Sequence, residues 1–152
     1  SDTPYIARKL QKEILKMILE KKSKEEVVAH IRAFIKDVEN KKYTTEEIAL
    51  PIGITKPIEE YKTLPIHIRA AKLANERHRA QIKSGYKVKY VYVKNNKENV
   101  IAFVDKMWSG YEVDTERMLE RIVYMKLDGI FEGMDWNIAE LKGQTSLGAW
   151  MV

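Results

Sequence analysis

The residues with the clearest chemical potential lie in GITKPIEEYKTLPIHIRAAKLANE, positions 53 to 76. This stretch gathers Lys56, Tyr61, Lys62, His67, Arg69 and Lys72 around Pro57 and Pro65, which fix the backbone ahead of a helix. Lys and Arg supply charge for phosphate oxygens, while Tyr and His offer directional hydrogen bonds or a ring that stacks on sugars and bases. Such a surface positions a polyanion without reading its sequence. Tyr61 and His67 also have a second reading, as core side chains with satisfied polar tips. Lys87 and Lys89 share one face of the strand that follows, where they either extend the basic surface or are merely solvated.

The charge distribution supports a polyanionic partner. Residues 56 to 94 hold ten Lys/Arg against three Asp/Glu, although the whole chain carries a net charge of only +5. A single-sign field of that density usually faces an anion, the alternative being a solvated face with no partner. Catalytic patterns are scarce by comparison. The chain has no glycine-rich phosphate loop, no GxSxG and no HExxH, and no two of its histidines, His30, His67 and His78, stand three or four residues apart. The acidic run YEVDTE, residues 111 to 116, reads as a helix start rather than a metal site, with Asp114 as the cap and Glu116 in the first turn.

The elements that must position these groups follow from hydrophobic spacing. Asp2 or Thr3 ahead of Pro4 predicts a helix start, and Ile6, Leu10, Ile14, Met17 and Ile18 form one apolar stripe to about Lys21. Ser23 with Glu26 is a capping box for a second helix carrying Val27, Ile31, Phe34, Ile35 and Val38, which completes a helical hairpin. Thr44 with Glu47 has the same spacing, but Pro51, Gly53 and Pro57 limit it to a short turn before extended chain in ALPIGI. A helix is predicted from Ile66, with Gly85 just past its end. KVKYVYV, 87 to 93, alternates as a strand, and VIAFV, 100 to 104, is its hairpin partner. A long helix follows the Asp114 cap. The result is an α+β fold, mainly helical, with an N-terminal hairpin, a small antiparallel sheet and a long C-terminal helix.

At 152 residues the chain has room for one domain or two small lobes. It begins with Ser rather than Met, which reads as processing or excision from a longer protein. It has no apolar run of membrane-spanning length and no cysteine, so disulfides and thiolate metal sites are excluded.

Taken in order, these segments resemble the family B DNA polymerases of archaea or phages, from the end of the palm through the thumb. SDTPYIARKLQKEILKMIL is similar to the segment leaving the palm. IGITKPIEEYKTLPIHIRAAKLANE resembles the thumb signature of Lys, Tyr, Pro-x-His and Arg before a helix. SGYKVKYVYVK with IAF resembles the small sheet, and DTERMLERIVYMKLDGIFEGMDW the last long helix with its terminal Gly, Met, Asp, Trp.

The resemblance implies that residues 1 to 142 hold duplex primer-template DNA through Lys56, Tyr61, Lys62, His67, Arg69, Lys72, Lys87 and Lys89. It also implies that the catalytic aspartates lie upstream of Ser1, so this chain has no catalytic or metal-ligating residue and no cofactor of its own. Mg²⁺ is expected for the parent polymerase, whose palm, fingers and exonuclease are the chain's partners in a cytoplasmic, nucleoid-associated enzyme. Residues 143 to 152, GQTSLGAWMV, carry no charge. Gln144, Leu147, Trp150 and Met151 resemble the sliding-clamp peptide of archaeal polymerases, with Met151 where a second aromatic is common; the alternative packs Trp150 onto the last helix. A split subunit, a stand-alone DNA-binding accessory protein tethered to a clamp, and an adaptor working through its tail are the competing functions.

Overall fold

Helix punctuation sets the first third of the fold. The computed structural model describes residues 2–142, with α1 at Tyr5–Leu19 and α2 at Lys24–Glu39. Ser23 Oγ accepts from the Glu26 N–H at 3.1 Å, and the Glu26 carboxylate accepts from the Ser23 N–H in return. This reciprocal cap satisfies two backbone donors that a helix start otherwise leaves unpaired. Ala7, Leu10 and Ile14 of α1 meet the core with Val27, Ile31, Phe34, Ile35 and Val38 of α2. Each large aliphatic side chain buried there stabilises the fold by about 1.5–3 kcal/mol. The start of α1 differs from the expectation: the cap residue is Pro4, whose ring has no acceptor to offer, and the Asp2 carboxylate is bonded instead to Arg121 and Lys126.

A second capping box, Thr44 with Glu47, opens the one-turn helix α3 at Thr45–Ile48. Strand β1, Leu50–Gly53, follows at once, and a 3₁₀ turn at Ile58–Glu60 leads to helix α4, Ile66–His78. Strands β2, Lys87–Tyr92, and β3, Val100–Phe103, complete an antiparallel sheet ordered β1-β2-β3. Leu50 faces Tyr90 and Gly53 faces Lys87 across the first ladder; Lys89 faces Phe103 and Tyr92 faces Val100 across the second. Val93 leaves the strand to form a single bridge with Val113.

The α4 helix ends at His78, six residues earlier than a stop just before Gly85 would place it. Arg79 takes a left-handed conformation at φ 55°, and the Asn75 side chain then holds residue 82 at both backbone groups. Its amide donates to the Ile82 carbonyl at 2.9 Å, and its oxygen accepts from the Ile82 N–H at 2.7 Å. Residues 79–86 therefore fold back as a loop, and Gly85, at φ 90°, makes the turn into β2 rather than capping the helix.

The long C-terminal helix is present from Thr115 to Gly133, but not as one regular α-helix. Helix α5, Thr115–Leu119, passes through one π turn, Glu120–Tyr124, into α6, Met125–Gly133. The architecture is α+β and mainly helical, as its sequence periodicities predict.

Candidate nucleic-acid interface

The segment between β1 and α4 is anchored at Ile58, which is 9% exposed, and its polar residues project from that anchor. Lys56 is exposed and Tyr61 half-buried, and the Lys56 ammonium lies 4.5 Å from the Tyr61 ring centroid. A cation over an aromatic face is attracted by the ring quadrupole, so the two side chains order each other. Tyr61, Lys62 and Lys72 line one open cleft of about 660 Å³ with Leu64 and Asn75, and Glu59 and Glu76, which line it too, keep it from being uniformly positive.

Lys62, Arg69, Lys72 and Lys87 form no ion pair with a carboxylate among the described residues. The start of α4 sharpens the positive character. It has neither a side-chain cap nor an acidic residue in its first turn, which instead carries His67 and Arg69. The helix dipole favours anions at that end, and the Arg69 guanidinium there reinforces a positive potential that no acidic residue of the first turn offsets.

The remaining predicted residues separate from this group. Lys89 is half-buried and donates to the Glu46 carbonyl at 3.0 Å, which ties its ammonium to α3. Lys87, two residues earlier on β2, is exposed. His67 is half-buried, its ring tilted 39° to that of Tyr90 with centroids 6.5 Å apart. Partial burial pushes its imidazole below the ordinary 6.5, and the Asp2 carboxylate draws it partway back. Asp114 accepts from the Arg117 N–H at 3.1 Å, which is the cap geometry read from YEVDTE. Gln144, Leu147, Trp150 and Met151 lie outside the described residues.

One polar cluster was not apparent from the sequence. Arg121, in the π turn, donates to the Tyr92 hydroxyl at 2.7 Å, the Asp2 carboxylate at 2.6 Å and the Tyr90 hydroxyl at 3.3 Å. Lys126 adds a second bond to Asp2 at 3.2 Å. Burial alone would raise the Asp2 pKa, but the hydrogen bond and charge of Lys126, with the charge of Arg121, outweigh it and hold the carboxyl below its usual value. The available signal was the i, i+2 spacing of Tyr90 and Tyr92, which places both on one strand face.

The solved family B DNA polymerase of Pyrobaculum calidifontis shares the fold at a TM-score of 0.65 and 23% identity, over 80% of this chain and 17% of that one. The pattern of DNA polymerase family B matches residues 2–133, and the chain belongs to that family. Curated relatives agree: a DNA polymerase of Pyrococcus horikoshii is 24% identical over 99% of the chain, and one of Archaeoglobus fulgidus is 30% identical over 47% of it. The aligned regions make up 13% and 9% of those two relatives.

Proposed function

We propose that this chain forms the end of the palm and the thumb of a DNA-directed DNA polymerase, and that it holds the primer-template duplex during synthesis. The observation that carries this reading is that Lys62 and Lys72 line the Tyr61 cleft and Arg69 stands in the first turn of α4, all three without a carboxylate partner among the described residues, on a chain of this family. The grip falls on the sugar-phosphate backbone and minor groove, which all sequences share, so it is electrostatic and salt-dependent. Lys56 supports it by holding Tyr61; Lys87 is a further backbone contact. Lys89 serves the fold first, through Glu46.

Nucleotidyl transfer is then the work of the whole polymerase. Among the described residues no group of three His, Asp or Glu side chains is placed to hold a metal ion; in this reading the Mg²⁺ of the parent polymerase is held by its palm carboxylates. Gln144, Leu147, Trp150 and Met151 form the tether to a sliding clamp, a reading that rests on their residue types and spacing in the sequence. The enzyme works on DNA in the cytoplasm, at the nucleoid. No described helix is long and apolar enough to cross a membrane.

Primer extension by the parent polymerase tests both parts. Tyr61→Ala with Arg69→Ala abolishes extension while clamp binding is retained; full activity in that variant contradicts the grip. Removing residues 144 to 152 abolishes clamp stimulation and spares distributive synthesis; unchanged stimulation contradicts the tether.

A further inference from the structure

Asp2 and Arg121 are 119 positions apart, yet their side chains meet at 2.6 Å with only 27% and 21% of their surface exposed. The guanidinium is fully committed on that side: one nitrogen serves Tyr92, the other Asp2 and Tyr90. Arg117 stacks on the outer part of the same arrangement, 4.3 Å from the Tyr92 ring centroid. Tyr90 is 2% exposed, and its ring is the neighbour of His67. A continuous path thus runs from the first residues of the chain, through Arg121 and Tyr90, to an imidazole in the first turn of α4. Arg121 stands in the π turn, a rare geometry that shifts the register of a helix face and is frequent at functional positions.

We infer that Asp2 and Arg121 are positioning residues for the duplex grip, acting through Tyr90 to fix the His67 imidazole at the start of α4. The Arg fork matters more than its charge. A guanidinium holds two hydroxyls and a carboxylate at the fixed angles of a planar fork, whereas an ammonium offers three rotatable donors from one nitrogen and does not impose that geometry. The device makes the geometry of the gripping segment depend on how the N-terminal end of the chain is seated. This inference rests on the proposed role of His67 at the duplex.

The test is a double-mutant cycle on the full 152-residue chain, read as affinity for a labelled primer-template duplex. His67→Gln, Asp2→Asn and Arg121→Lys each weaken binding by about three- to tenfold, and His67→Gln combined with Asp2→Asn weakens it by less than the product of the two. Asp2→Glu restores most of the affinity. The side-chain NMR signals of His67 shift in Asp2→Asn and Arg121→Lys at temperatures where both remain folded, which a purely stabilising role would not produce. If His67→Gln leaves affinity unchanged, the role of His67 fails and this inference with it. If His67→Gln weakens binding but Asp2→Asn and Arg121→Lys do not, or if the effects multiply independently, the inference alone is overturned.

Discussion

The Lys56 ammonium sits 4.5 Å from the centroid of the Tyr61 ring, so two of the candidate duplex contacts form a single unit. Removing either releases the other from its geometry. Lys56→Met and Tyr61→Leu should each weaken duplex binding, and the double variant should lose less than the two separate losses combined. Fluorescence anisotropy at one fixed salt concentration reads this directly, and strict additivity would show that the two act apart.

Lys62 and Lys72 line the same cleft and have no carboxylate partner among the described residues. If each neutralises one phosphate, Lys62→Met or Lys72→Met lowers the slope of log affinity against log salt by about 0.9. The loss should be equal on unrelated duplex sequences, since backbone contacts carry no base information. Equilibrium binding across a salt series measures both quantities.

Asn75 closes the end of α4 by bonding both backbone groups of Ile82, a residue that is 3% exposed. Asn75→Ala leaves a buried donor and acceptor without that partner, and the cost is about 1–3 kcal/mol. Urea denaturation should show a lower midpoint with an unchanged slope.

Stability should fall in two steps on acidification. The folded pKa of His67 lies below the ordinary 6.5, so its contribution is present above that value and disappears as pH falls through the folded one. Asp2 behaves in the same sense lower down: its folded pKa lies below 3.8, and the stability it contributes is lost as pH falls through that folded value. His67→Gln should remove the upper step and Asp2→Asn should shrink the lower, to which Glu46, its carboxyl also held below the usual value by the Met107 N–H, contributes as well, in a series of denaturant midpoints against pH. Retention of both steps in full in both variants would contradict the assignment.

The parts of the fold governed by local rules were legible. Ser23 with Glu26 and Thr44 with Glu47 place helix starts because a cap involves only neighbours, and the spacing of buried residues in α1 and α2 follows directly from helical geometry. The end of α4 was not legible, because Arg79 turns left-handed without being glycine and Asn75 bonds a residue seven positions away. The π turn had no sequence mark either. At the site, composition revealed the cations but not their engagements: Lys89 is tied to Glu46, and Lys56 to Tyr61, by contacts that depend on the tertiary arrangement. Asp2 shows the same limit most clearly. Its position two residues before Pro4 suggests a cap, and its actual partners are Arg121 and Lys126.

The most direct test of the account is a salt titration of the unaltered chain on two primer-template duplexes of unrelated sequence. The account predicts equal affinities for both, with log affinity falling linearly as log salt rises. No binding at low salt, an affinity indifferent to salt, or a strong preference for one sequence would contradict it.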